Sequence, residues 1–139
     1  MIRVVLDTNV IVSGLLAADS LPATILDLAL QSKIHAALSQ PILAEMDRVL
    51  RRPRVGFEPR KIGSLLALFK SRSKLVSPKK TLNLCQKDTS DNRFLECAET
   101  AKAEFLITSN KSHFPPRHMN TLVLTPREFW DAYLLRMAF

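Results

Sequence analysis

The sequence predicts an α/β fold: a three-layer sandwich in which helices cover both faces of a central parallel sheet. Three observations carry this. Short apolar runs recur at Ile2 to Leu6, Ile34 to Leu38, Phe105-Leu106-Ile107 and Thr121 to Leu124, as in strands buried on both faces. Helical patterns of roughly 10–15 residues separate them, which implies crossover connections between parallel strands. The chain has 139 residues, 47% of them apolar, enough for one core and one domain.

The first run, Ile2-Arg3-Val4-Val5-Leu6, leads straight into Asp7-Thr8-Asn9, and a helical stretch over Val10 to Ala17 follows. Ser20 and Pro22 form a cap and first-turn proline for a helix through Leu30. After the second strand, Ser39-Gln40-Pro41 opens a helix whose apolar stripe is Ile42, Leu43, Met46, Val49 and Leu50. Pro53 ends it. A further helix is expected from Pro59 to Ser73, carrying Ile62, Leu65, Leu66 and Phe69. Leu75-Val76 is read as a stub of strand, and Ser77 to Ser90 as a polar loop. Asp91 to Lys102 is expected to be helical, with Phe94, Leu95, Ala98 and Ala101 facing inward. Thr125-Pro126-Arg127-Glu128 is a capping-box start for the final helix. No repeat, low-complexity tract or linker interrupts the chain, so residues 1–139 are expected to form a single domain.

Composition excludes several classes. No stretch approaches the ~18 uninterrupted apolar residues of a membrane span, and Asp7 interrupts the apolar N-terminus where a secretory signal needs a continuous run. Cys85 and Cys97 form no C-x-x-C pair and read as buried or idle thiols of a reducing cytoplasm. The net charge of +7 favours a polyanionic partner, nucleic acid ahead of a membrane surface. The basic residues cluster at Arg51, Arg52 and Arg54, at Arg60 and Lys61, at Lys70, Arg72 and Lys74, at Lys79 and Lys80, and at Lys111, His113, Arg117 and His118. Any one cluster alone reads as a solvated face. Together they point to nucleic acid without indicating a sequence.

With only Gly14, Gly56 and Gly63, the chain has no glycine-rich phosphate loop, and it has no G-x-S-x-G elbow. His35, His113 and His118 lack zinc spacing and read as surface or packed histidines. Carboxylates remain. Asp7, Glu45, Asp47, Asp88 and Asp91 lie near predicted strand ends or helix starts, and several acids around one crevice suit a hard cation that keeps some of its waters. Asp7 stands where ligands bind in open α/β sheets, beyond the carboxyl end of a strand. It is placed to hold a cation, to act as a nucleophile, or simply to cap the next helix. Asp91 begins a helix and has the same capping alternative, whereas Asp88 has nothing obvious to cap. Glu45 and Asp47 both flank the stripe centred on Met46, and spacing does not separate them.

The string Val4-Val5-Leu6-Asp7-Thr8-Asn9-Val10-Ile11-Val12-Ser13 resembles the opening motif of PIN-domain ribonucleases. Glu45 within Leu43-Ala44-Glu45-Met46 resembles that family's helix acid. The run Asp88-Thr89-Ser90-Asp91-Asn92-Arg93-Phe94-Leu95-Glu96-Cys97-Ala98 is similar to its aspartate-initiated helix. Leu106-Ile107-Thr108-Ser109-Asn110-Lys111 falls where the family has a strand ending in Thr and a further acid. The motifs appear in the family's order over nearly the whole chain, which is most similar to small VapC-like toxins of toxin–antitoxin pairs. The resemblance implies a Rossmann-like parallel sheet between helices and Mg²⁺- or Mn²⁺-dependent cleavage of RNA. It implies Asp7, Glu45 and Asp91 as metal ligands, Asp88 as an auxiliary acid, and Asn9, Thr108 and Asn110 as groups that orient them. It also implies a small antitoxin partner, a homodimer and a cytoplasmic location away from any membrane.

One departure stands out. Many family members carry acids where this chain has Asn110 and Ser112, so one cation site is expected intact and a second weakened. The expected reaction is hydrolysis of an RNA phosphodiester by in-line attack of a water activated by the cation, with Arg51, Arg52, Lys79, Lys80 and Lys111 as candidates to carry the strand. Two alternatives belong to other classes. A phosphatase using Asp7 as nucleophile would want a second aspartate two residues on, where Asn9 stands. A non-catalytic module binding RNA or a partner is the reading that the Asn110/Ser112 departure keeps open.

Overall fold

Val4, Val5 and Leu6 are all buried, as are Phe105, Leu106 and Ile107. Successive strand side chains point to opposite faces, so consecutive buried residues require both faces to be covered. The structure, a computed structural model, describes residues 1–139 and bears this out. In chain order the elements are β1 (Arg3–Leu6), α1 (Thr8–Leu16), α2 (Leu21–Leu30), β2 (His35–Leu38), α3 (Gln40–Leu50), α4 (Pro59–Arg72) and β3 (Lys74–Leu75). Then come α5 (Asn92–Ala101), β4 (Phe105–Ile107), β5 (Arg117–His118), β6 (Thr121–Leu124) and α6 (Pro126–Ala138). Single 3₁₀ turns at Thr89–Asp91 and Lys111–His113 precede α5 and follow β4.

The six strands form one sheet in the order β3-β2-β1-β4-β6-β5, parallel except for the β5–β6 pair. The chain builds outward from β1 through β2 to β3, then crosses back to lay β4 on the other side of β1. The order reverses between β1 and β4, which makes their carboxyl ends the switch point where a crevice opens. Asp7 follows β1 there and Thr108 follows β4. The short antiparallel β5 was not foreseen. It lacks a glycine signal, because Met119 itself takes the positive φ of 53° in the connection to β6.

The helices follow their expected stripes. Ile42, Met46 and Leu50 of α3 are fully buried, while Leu43 only flanks the core and Val49, half-buried, turns to the crevice beyond β1. In α4, Ile62, Leu66 and Phe69 are buried, with Leu65 partly so. All four expected residues of α5 are buried, together with Cys97. Each full burial of this kind contributes about 1.5–3 kcal/mol. Ser20, Ser39 and Thr125 cap α2, α3 and α6, and Thr125 with Glu128 completes the capping box. Helix α1 starts at Thr8, earlier than the apolar spacing indicated, so Asp7 is its N-cap and Thr8 and Asn9 occupy its first turn. Gly14 lets α2 cross closely over α1: a Cβ there would lie 3.1 Å from the backbone of Pro22 and Ala23. No single helix is long and apolar enough to cross a membrane.

The long connection before α5 is held by two side chains of that helix. The Asn92 carboxamide oxygen accepts from the backbone amides of Leu84 and Cys85, both at 2.8 Å, and its nitrogen donates to the carbonyls of Thr89 and Cys85. Glu96 accepts from the Leu82 amide at 2.8 Å. This satisfies backbone groups that have no sheet partner and fixes the turn bearing Asp88 and Asp91.

Candidate functional site

Asp7 lies buried at the base of the crevice, 5% exposed. Its backbone amide donates to Ile107 at 3.0 Å, tying the end of β1 to β4. Its carboxylate accepts from the Thr108 hydroxyl at 2.7 Å, the Asn9 carboxamide at 3.3 Å and, weakly, the Asn9 amide at 3.5 Å. Asn9 in turn accepts from the Ser109 amide, and Thr108 from the Asn110 amide. Asp7 therefore caps α1 and faces the crevice at once; the two readings are not exclusive. Burial pushes its carboxyl up to about 6, and the charges of Asp91 and Glu45 add to that push against the hydrogen bonds from Thr108 and Asn9.

Geometry separates Glu45 from Asp47. The Thr8 hydroxyl donates to Glu45 across the α1–α3 gap at 2.5 Å, which aims Glu45 into the crevice. Asp47 pairs with Arg51 at 2.9 Å on the other side of α3 and lines a separate hollow. Asp91 is 8% exposed and accepts no capping hydrogen bond from α5. Its Oδ2 instead lies 3.3 Å from Nδ1 of His113, and burial with the neighbouring charges of Asp88 and Glu45 raises its pKa. Asp88 does have something to cap: it accepts from the amide and hydroxyl of Ser90 at 3.0 and 2.6 Å. The Ser90 hydroxyl holds the Asp88 carboxyl below its ordinary range.

These acids line one cleft of about 370 Å³, together with Thr8, Asn9, Asn110, Arg48, Arg52 and His113. Thr108 sits buried beneath Asp7. Ser112 is exposed and outside the cleft lining. Of the basic residues proposed to carry a strand, only Arg52 opens on the cleft. Arg51 is turned to Asp47, Lys111 is bound to Glu128 at 2.9 Å, and Lys79 and Lys80 line another hollow where Lys80 meets Glu99 at 3.1 Å. Sequence reasoning missed Arg48 and underrated His113. Both had a signal: Arg48 follows Glu45 by three residues on the same helical face, and His113 follows Asn110 by three in a turn where such positions eclipse.

No group of three His, Cys, Asp or Glu side chains is arranged to hold a metal ion as it stands. Each acid is drawn to its own partner: Asp7 to Thr108, Glu45 to Thr8, Asp91 to His113, Asp88 to Ser90. The chemistry of the donor set nevertheless fits a hard divalent cation, being rich in carboxylate oxygen. Burial, with a lesser push from neighbouring acids, raises the pKa values of Asp7 and Asp91, and a cation would favour their ionised forms.

Comparison with known proteins matches this architecture. The family model for the PIN domain covers residues 3–112, which include every acid of the cleft. An uncharacterized protein of Methanocaldococcus jannaschii is 34% identical over 145 residues, spanning 95% of this chain and 92% of its own. Among solved structures, VapBC2 from Rickettsia felis, bound to a DNA fragment from its promoter, aligns with a TM-score of 0.59. That alignment covers 89% of this chain and 98% of the other at 18% identity, so the likeness is one of fold. With the family's opening strand, helix acid and aspartate-initiated helix converging on one cleft, the chain belongs to the PIN domain family.

Proposed function

We propose that this protein is a divalent-cation-dependent endoribonuclease and the toxin member of a toxin–antitoxin pair. The observation that carries the reading is the convergence of Asp7, Glu45, Asp88 and Asp91 at the sheet's switch point, beside Arg48 and Arg52. Asp7, Glu45 and Asp91 would hold Mg²⁺ or Mn²⁺, with Asp88 in support. When bound, the cation supplies Lewis acidity that offsets phosphoryl charge and makes water nucleophilic at neutral pH.

The chain's own residues do the rest. Thr108 and Asn9 fix the Asp7 carboxylate from below, so its free lone pairs face the cleft. Asn110 at the rim supplies an amide dipole without charge. The exposed guanidinium groups of Arg48 and Arg52 are placed to bind phosphodiester oxygens bidentately, orienting the strand over the acids. The antitoxin partner, the homodimer and the cytoplasmic location belong to the same reading; they rest on the VapC-like resemblance and the likeness of fold to VapBC2.

A non-catalytic RNA-binding module is the second reading, favoured by the dispersed acids and by Asn110 at the rim. A phosphatase that uses Asp7 as nucleophile is disfavoured, because Asn9 stands where its second aspartate is wanted and instead holds the Asp7 carboxylate. Incubating the purified protein with single-stranded RNA distinguishes these readings. Cleavage is expected with Mn²⁺ or Mg²⁺, none after chelation, and none from a folded Asp91→Asn variant. Cleavage that survives chelator overturns the proposal; binding without cleavage in any ion supports the module.

A further inference from the structure

We propose that the turn Arg52–Val55 carries the RNA strand away from the acids, with Arg54 holding a phosphate beyond those that Arg48 and Arg52 hold. The proposal rests on the nuclease reading above and adds to it a binding residue outside the cleft lining. In α3, Glu45, Arg48, Val49 and Arg52 all open on the cleft, at the i, i+3, i+4 and i+7 positions of one helical face. Arg48 and Arg52 are one helical turn apart, about 6 Å along the axis, which is comparable to the step between neighbouring phosphates of an extended single strand. A strand laid on the acids at Glu45 therefore meets one cation and then the next as it follows α3 to its end.

The chain beyond the helix continues the row. The Val55 amide donates to the Arg52 carbonyl at 3.0 Å, closing a turn with Pro53 at its second position, where the ring fixes φ and stiffens the corner. Val55 is half-buried and Phe57 packs against the core, so the far side of the turn is anchored. Arg54 is exposed at its tip. The local charge balance leaves these cations for an outside partner. Residues 47–61 hold six Lys and Arg residues and only two acids, Asp47 and Glu58, and those two pair with Arg51 and Lys61. Arg48, Arg52, Arg54 and Arg60 are left over. The C-terminus of α3 presents roughly half a negative charge, too little to account for four cations. A surplus of this kind at one rim of a cleft suits a polyanion that enters there.

Fluorescence anisotropy with a labelled single-stranded RNA, read in chelator so that the strand stays whole, tests this on the full-length protein without reference to activity. Arg54→Ala should bind on the order of fivefold more weakly. The slope of log affinity against log salt should fall by about 0.7, and Arg54→Lys should restore most of the loss. Lys33→Ala removes a likewise exposed charge just before β2, at the amino end of the sheet, and should change neither. Cys85 and Cys97 are buried, so benzophenone can be attached selectively to an Arg54→Cys variant. Irradiation should crosslink that variant to RNA, and the same label on Lys33→Cys should not; this arm decides the matter if Arg54→Ala fails to fold. Binding by Arg54→Ala like the parent's, a loss as large in Lys33→Ala, or equal crosslinking at the two positions overturns the track and leaves the nuclease reading intact. A parent protein that binds no RNA overturns both.

Discussion

Asp7→Asn tests the charge crowding at the base of the cleft. Burial is the main reason the Asp7 carboxyl is raised from 3.8 to about 6, and at about 1.4 kcal/mol per pH unit this corresponds to roughly 3 kcal/mol. The folded pKa lies above the unfolded one, so the folded state binds this proton more tightly. Ionised Asp7 is thus a cost to folding, fully present above about pH 6 and vanishing as pH falls towards 3.8. Asparagine removes the charge and, with its oxygen in the place of Oδ2, still accepts from the Thr108 hydroxyl and the Asn9 carboxamide; it loses only the weak contact with the Asn9 amide at 3.5 Å, which offsets about 1 kcal/mol. The variant should be more stable by about 1–3 kcal/mol near neutral pH in chelator, a rise of roughly 3–9 °C in melting temperature. Thermal unfolding followed by circular dichroism at about pH 7.5 and about pH 4.5 measures it, and about 2 kcal/mol of the gap should disappear at the lower pH. Comparing variant with parent at each pH cancels the other carboxylates. A less stable variant at neutral pH, or a gap that does not depend on pH, would refute the reasoning and leave Asp7 as a structural cap.

Other outcomes follow from the same geometry. Asn110→Asp adds a carboxylate at the cleft rim and should tighten calorimetric Mn²⁺ binding, whereas Ser112→Asp, outside the lining, should leave it unchanged; equal effects would show the 3₁₀ turn to be misplaced. Asn92→Ala strands the buried amide of Cys85 together with the Leu84 amide and the Thr89 carbonyl and should cost about 2–4 kcal/mol in urea unfolding. A loss under 1 kcal/mol, on the order of an ordinary surface change, would mean that water replaces the carboxamide. Arg48→Ala and Arg52→Ala should each weaken RNA binding and lower its salt slope by about one, while Lys79→Ala, in a separate hollow, should not.

How much of this was legible in the sequence depended on the range of the interaction. The strands and apolar stripes follow from local periodicity, and the caps at Ser20, Ser39 and Thr125 from local hydrogen bonding, so those elements were readable. The start of α1 was not. Apolar spacing begins at Val10, but the helix begins at Thr8 because Asp7 can cap it. Glu45 and Asp47 are equivalent in periodicity and are told apart only by Thr8 reaching across from α1 and Arg51 reaching back along α3. Asp88 seemed idle because its partner, Ser90, lies in a 3₁₀ turn that apolar spacing does not reveal. The basic residues were the least readable. A run of charge states nothing about direction, and Lys111 and Lys80 turn to Glu128 and Glu99 rather than to the cleft.

The four acids reach one cleft from three separate stretches of chain, and none is held there by another acid. Glu45 is fixed by Thr8 from 37 residues away, Asp7 by Thr108 from 101, and Asp91 by His113 from 22. Such contacts exist only once β4 lies beside β1 and α3 against α1, so the site is a product of the fold. The partners also offset part of the negative charge that the fold gathers in the cleft. Hydroxyl donors and one imidazole share out the carboxylates singly, and burial, with a smaller push from the neighbouring acids, still raises the pKa values of Asp7 and Asp91. A cation that gathers the acids must compete with those donors. Those hydrogen bonds therefore set a lower limit on the attraction that an ion has to supply.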